Sequence, residues 1–307
     1  MLSDFRVCHY TSADGLLSIL RSGTLWATSA TFMNDSEEMQ TGATAFAGLL
    51  ESRREDLTED EIEHIEASGL VTGTGAFGNF LLSAATDPDK LTLWRNYGVS
   101  EVAYSVELDP ATRLVPLAQV SGDAHPSPPA GYFDREYQTD PETGDRLSED
   151  PHPDTLACMG GGWRKVTYVT GPEDPTIADH FERDLEQYRA RQGQPGFWIP
   201  RYMLTNSALD FIKDAGFADE SEVRSVHWVN PWWKFVRYRA GRFGVTPYIE
   251  LTTMDESEDF ATSAGKLPIK SVTVGPNAPT GAKQAARALL QSYGYDAPVQ
   301  RSKTPYR

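Results

Sequence analysis

The chain has 307 residues, 39% hydrophobic and 23% charged, a balance that describes a globular protein able to bury a core without disulfides or metal. A formal charge of −16 repels phosphate backbones and argues against bulk nucleic-acid binding, and no apolar run reaches the length of a membrane span. Cys8 and Cys158 form no CxxC and no metal-ligand spacing, and the opening MLSDFRVCHYTS has no basic region followed by an apolar stretch, so a reducing, cytoplasmic location is expected.

In chain order, Phe5 to Tyr10 reads as a short buried strand, with Cys8 as a small buried hydrophobe. A helix follows, capped by Thr11 or Ser12, striped by Leu16, Leu17, Ile19 and Leu20, and ended by Gly23. Thr24 to Phe32 reads as extended, and Asn34-Asp35-Ser36-Glu37 as a turn into a helix carrying Phe46, Leu49 and Leu50. Thr58 and Glu61 form a capping-box pattern for an acidic helix whose charges read as a solvated face. Strands are predicted over Phe77–Ala84 and Val102–Leu108, with a short helix or turn over Lys90–Tyr97 between them. Residues 121–162, rich in Pro, Gly, Asp and Ser, read as a long surface excursion. A strand over Val166–Val169 and helices over Ile177–Arg191 and Met203–Ala215 follow. The last third predicts strands over Glu222–Trp228, Trp233–Tyr238, Val245–Leu251 and Ile269–Val274, a hairpin across Ala240-Gly241, a helix from Thr280 to Tyr293, and a terminal strand. Strands and helices do not alternate regularly, so a single α+β domain over 1–307 is expected rather than a doubly wound sheet.

Several chemistries lack their residues. There is no GxGxxG, Walker loop, HExxH or GxSxG, and the six histidines are scattered, so metal catalysis and Rossmann-type redox chemistry are not expected. The first positive signal is His9-Tyr10-Thr11-Ser12. It sets a histidine at a strand end and hydroxyls at a helix start, where a phosphate is favoured, although a capped helix with a core histidine fits the same residues. Glu220, Glu222 and Arg224 alternate, so on a strand they share one face. Two carboxylates so placed raise one another's pKa unless a cation such as Arg224 separates them; solvated charges on an edge strand are the alternative. Trp228, Trp232, Trp233, Lys234, Phe235, Arg237, Tyr238, Arg239 and Arg242 form a basic aromatic stretch without an acidic residue. Such a stretch holds a nucleic-acid strand, or else folds as a hairpin with an aromatic core face and a solvated arginine face.

The segments HYTS, SGTLWAT and FMNDSEE resemble the opening of a bacterial domain-of-unknown-function family, number twenty-nine seventy-one. SAATDPDKLTLWRNYG, FADESEVRSV, IKSVTVGP and the terminal RSKTPYR match in the same order, so the resemblance runs from residue 7 to residue 307. Residues 121–162 depart from the family's pattern as an insertion.

That family is distantly similar to ADP-ribosyltransferases. The resemblance implies a split mixed sheet with flanking helices, NAD as substrate, no metal, and cleavage of the nicotinamide–ribose bond in a toxin or phage-defence setting. By resemblance, His9 holds the ribose of NAD, with Tyr10, Thr11 and Ser12 around it, and Asn34, with Asp35 and Glu37, stands near the ligand. Tyr97 or Trp94, with Trp26 competing, stacks on nicotinamide. Glu222 is the catalytic acid, Glu220 faces the acceptor, and Arg224 accompanies them. The acceptor is a protein or a nucleic acid reached through Trp232, Trp233, Lys234, Arg237 and Arg239, or else water, which makes a glycohydrolase. A catalytically inactive nucleotide-sensing or protein-binding module on the same fold is the rival expectation.

Overall fold

The computed structural model describes residues 5–32, 36–67, 70–71, 78–98, 102–118, 158–171, 173–191, 209–229, 233, 235–241, 244–254 and 260–305. In chain order the elements are β1 (Val7–Ser12), α1 (Ala13–Ser22), β2 (Leu25–Ser29), α2 (Ser36–Arg53), α3 (Glu59–Ala67), β3 (Asn79–Ala85), α4 (Leu91–Tyr97), β4 (Ala103–Leu108), β5 (Val115–Pro116), β6 (Cys158–Lys165), β7 (Thr167–Val169), α5 (Pro175–Arg191), β8 (Ile212–Asp214), β9 (Glu222–Val229), β10 (Arg237–Gly241), β11 (Gly244–Thr252), β12 (Ile269–Val274), α6 (Ala282–Ser292) and β13 (Val299–Arg301). The architecture is mixed α+β. Among the described residues one eleven-stranded sheet runs β10-β11-β2-β3-β1-β4-β12-β13, with β9 and β6 branching from β3 and β5 on β11. Its pairings are antiparallel except β12 with β13, and β7 and β8 form a separate parallel pair. No helix among the described residues is long and apolar enough to cross a membrane.

Local chemistry sets the element ends. The Ser12 hydroxyl accepts from Gly15 N at 3.1 Å, which satisfies one of the unpaired donors at the start of α1. Gly23 closes that helix at φ 66, with its N–H on the Ile19 carbonyl, a conformation that needs the missing Cβ. Ser12→Ala is expected to lower stability by about 1 kcal/mol, read as a shift of the urea midpoint with an unchanged m-value.

The two sheet faces carry different cores. On one, Leu82, Ala84, Val223 and Val106 pack with Leu16 and Leu20 of α1 and Ala286 and Leu290 of α6. On the other, Leu81 and Val226 meet Phe211, and beyond them Phe46 of α2, Ile65 of α3 and Ile177, Phe181 and Leu185 of α5 form a second cluster with Ile212.

Several expectations need correction. The strand from Thr24 stops at Ser29, and Ala30–Phe32 turn as a 3-10 helix. The helix predicted over Met203–Ala215 reaches no further than Leu209: Ile212–Asp214 is a strand and Ala215–Glu220 a 3-10 helix. Pairing with β7 overrides the helical pattern, because Ile212 fills the second cluster and Asp214 turns the chain by accepting from Gly216 N. Residues 158–162 belong to β6 and not to a surface excursion; residues 121–157 lie outside the described residues. The strand predicted over Trp233–Tyr238 begins only at Arg237, since Trp233 and Phe235 are drawn into the core. The hairpin exists, but Ala240 and Gly241 belong to its first strand, where they pair with Val245 and Gly244. The capping box forms, with Thr58 N–H on Glu61 at 2.9 Å. The acidic face of α3 is only partly solvated, because Glu61 is buried under Arg189, whose bond holds its pKa down at about 2.

Candidate functional site

β3 organises the site. One of its edges pairs with β9 over its whole length. The other edge is shared: Phe80 and Leu81 pair with β2, and Ala85 pairs with β1 at Cys8. Between Leu81 and Ala85 the two strands part, so the sheet is split there, and α1 connects the two sides. Partners in a register share a face. Cys8, Ala85 and Glu222 therefore face the same way, together with Ser83 and Arg224, and with Leu81, Thr28 and Trp26.

The split is filled from the back by His9. Alternation puts His9 on the opposite face from Cys8 and Tyr10, but its ring reaches β3, with Nδ1 3.0 Å from the Ser83 carbonyl. A carbonyl only accepts, so Nδ1 carries the proton and Nε2 is the acceptor. Burial lowers the His9 pKa, against the opposing effect of the Ser83 bond, which keeps the ring neutral at pH 7.

Glu222 opens β9. It is 7% exposed and lies in a network of charges. Arg224 grips it with both arms, Nε to Oε1 at 2.7 Å and Nη2 to Oε2 at 3.0 Å, and reaches the Asp210 carbonyl with Nη1 at 2.8 Å. Lys213 Nζ donates to Glu222 Oε2 at 3.2 Å and to Glu220 Oε2 at 2.7 Å. The Tyr168 hydroxyl accepts the Glu222 backbone N–H at 2.7 Å. Burial works against the charge on Glu222, but Arg224 and then Lys213 outweigh it, so its pKa stays below the ordinary carboxylate range.

The shared strand face predicted for Glu220 and Glu222 does not exist. Glu220 ends the 3-10 helix, and Ser221 at φ 48 breaks the alternation before β9 begins. The cation between the two carboxylates is Lys213 rather than Arg224, and it comes from β8, where a helix was predicted. No sequence spacing singled out Lys213.

The aromatic candidates separate by exposure. Trp94 is 1% exposed; its ring packs edge-on against Tyr10 at 4.7 Å and its Nε1 donates to Asp89 at 2.8 Å, so neither face is open to a ligand. Tyr97 is 44% and Trp26 40% exposed. Tyr97 stands beside Tyr10 at 6.2 Å, and Trp26 stands on the β2 side of the split. Tyr10 is a positioning residue here: its hydroxyl donates to the Asp87 carbonyl and accepts from Lys90 N–H. Thr11 is buried and Ser12 caps α1.

Arg237 and Arg239 share a face of β10 with Tyr248 and, through β11, with Trp26. Arg239 lies over the Trp26 ring at 5.5 Å and donates to Thr28 at 2.9 Å, while Arg237 pairs with Glu250 at 3.1 Å. Trp233 is core, whereas Asn34, Asp35, Trp232 and Lys234 lie outside the described residues.

Asp210 gives the network a pH dependence. Burial pushes its carboxyl up to about 7, against the Asn79 bond and the Arg224 charge. A folded pKa above the unfolded value means the native state binds the extra proton, so this stabilising effect is complete below the unfolded pKa and is lost as pH rises through the folded one. The wild-type melting temperature is therefore expected to fall, relative to Asp210→Asn, between about pH 4 and about pH 7; parallel curves would exclude Asp210 as the source.

No family model, no curated protein and no solved structure matches this chain.

Proposed function

We propose that the chain is an ADP-ribosyltransferase-type enzyme that binds NAD in the split of the sheet and cleaves its nicotinamide–ribose bond. The observation that carries this reading is the split itself, with His9 anchored in it and Glu222 on the adjoining strand. The resemblance of HYTS, FMNDSEE and the later segments to the family described above supports the same chemistry. In this reading the Nε2 of a neutral His9 accepts a ribose hydroxyl. Tyr97, the more exposed aromatic, offers a face to nicotinamide, whereas Trp26 is already packed by Tyr248 at 4.5 Å and Arg239 at 5.5 Å. Cleavage develops an oxocarbenium-like cation, which an ionised, preoriented carboxylate stabilises. A carboxylate has about four lone-pair positions; Arg224 and Lys213 use three on Glu222, and the Ser83 hydroxyl also stands against it, so in this reading the ribose hydroxyl takes the place of Ser83. Glu220, less buried and tethered by Lys213, faces the acceptor in this reading.

One observation favours a second reading, a nucleotide-sensing module without turnover: Glu222 is buried and held by two cations. Incubation of the protein with NAD separates the two. Nicotinamide release supports the enzyme; release without any labelled acceptor makes it a glycohydrolase; NAD binding without release supports the sensor. Absence of both binding and release sinks both.

A further inference from the structure

At one end of the sheet stands β10, which among the described residues pairs on one side only, with β11. Tyr238, Arg239, Ala240 and Gly241 are all exposed, Tyr238 by 50%. An edge strand presents a row of backbone N–H and C=O groups, and an extended segment of another chain can pair with them.

The register shows which groups those are. Tyr238 stands opposite Pro247. Proline has no N–H, so that pair cannot exchange two backbone bonds. The bonded pairs are therefore Arg237 with Tyr248, Arg239 with Thr246 and Gly241 with Gly244. The Glu250 carbonyl keeps the same phase: it accepts from Leu117 N, next to β5, which lies on that side of β11. The N–H and C=O groups of Tyr238 and Ala240 point the other way, out of the sheet.

Charged side chains commonly guard such an edge. β10 carries two arginines, and both turn inward. Arg237 Nε pairs with Glu250 of β11 at 3.1 Å. Arg239 reaches across β11 to the Thr28 hydroxyl of β2 at 2.9 Å, with its guanidinium 5.5 Å from the Trp26 ring centroid and 6.0 Å from that of Tyr248. The edge is left open between two unlike faces. One carries Arg237 and Arg239; the other carries Tyr238, Ala240 and Val245, the last 68% exposed. Residues 237–250 contain three arginines and one glutamate, and Arg237 takes that glutamate. On a chain of net charge −16 the hairpin is a local field of the opposite sign.

We propose that β10 takes up an extended segment of a partner protein in which acidic and apolar residues alternate. The segment's backbone pairs with Tyr238 and Ala240. Its acidic side chains lie on the Arg239 face, and its apolar ones lie against Tyr238, Ala240 and Val245. This surface is independent of the transferase reading.

The probe is the acetylated, amidated peptide Thr-Val-Glu-Val-Glu-Val-Thr, labelled with a fluorophore and titrated with the full chain by anisotropy. Saturable binding is expected, about fivefold weaker when lysine replaces both glutamates. Ala240→Pro removes one outward N–H and none of the bonds to β11, so it is expected to melt like wild type and to bind about tenfold more weakly. Hydrogen exchange on the wild type gives a reading that needs no variant. The Tyr238 and Ala240 amides are expected to exchange fast in the free chain and to be slowed by the peptide. Absence of saturable binding, equal binding of the lysine peptide, full binding by Ala240→Pro, or amides that the peptide leaves unprotected would overturn the proposal. So would protection of those two amides that rises with protein concentration without peptide, because a second copy of the chain would then hold the edge.

Discussion

Glu222→Gln is expected to lose both stability and nicotinamide release. Arg224 is 4% and Lys213 2% exposed, so removing the carboxylate leaves cations in a site with little water to solvate them. Breaking a buried pair from one side costs about 3 kcal/mol or more, and for a chain of this size that lowers the melting temperature by roughly 5 °C. Glutamine keeps some hydrogen bonding, and Lys213 keeps Glu220, so the variant is expected to fold. A double-mutant cycle with Arg224→Gln should return a coupling energy of about 1–3 kcal/mol between the two side chains. Under the proposed function, nicotinamide release falls by about a hundredfold to a thousandfold, measured well below the variant's melting temperature. NAD affinity should change far less, because the charge matters most when the cation develops. A variant that melts like wild type contradicts the buried network. Full turnover in a folded variant removes Glu222 from the mechanism, and loss of turnover confined to Glu220→Gln reverses the two roles.

Trp94→Ala is the second large effect. Its indole is enclosed by Tyr10 and stands so near Gly275 that a Cβ there would lie 3.3 Å from the ring. Deleting such a side chain costs about 3–5 kcal/mol. The consequences reach further than the cavity. Asp89 accepts the Trp94 Nε1–H and also holds Ser302 and the Lys303 N–H, so the indole helps to orient the carboxylate that pins the last residues to the loop before α4. Trp94→Phe keeps most of the ring but loses that donor, and about 1–3 kcal/mol is expected. Thermal melts of both variants check the order. If Trp94→Ala melts like wild type, the ring is not a core pillar, and its role as a stacking residue returns to consideration.

The elements that were legible in the sequence share one property: their cause lies within a few residues. The Ser12 cap, the Gly23 stop and the capping box of Thr58 and Glu61 each depend on a side chain and a backbone group within about one helical turn. The apolar stripe of α1 and the strand from Ile269 to Val274 depend on periodicity alone. Local pattern was enough there because no distant partner competes with it.

The site depends on distant partners. Glu220, Glu222 and Arg224 alternate in sequence, but one left-handed residue, Ser221, removes Glu220 from the strand. Lys213 then joins the two carboxylates because β8 pairs with β7, a parallel pairing between segments more than forty residues apart. Trp94 and Tyr97 lie one turn apart on α4 and look alike as candidate stacking residues; packing against Tyr10 and Gly275 buries one and leaves the other at the surface. The split of the sheet follows from β1 and β2 competing for one edge of β3. Residue types and local turns are written along the chain, so they could be read from it. Which side chains share a face, which are exposed, and which charges meet follow from strand register and burial, and those are set by contacts that sequence spacing does not encode.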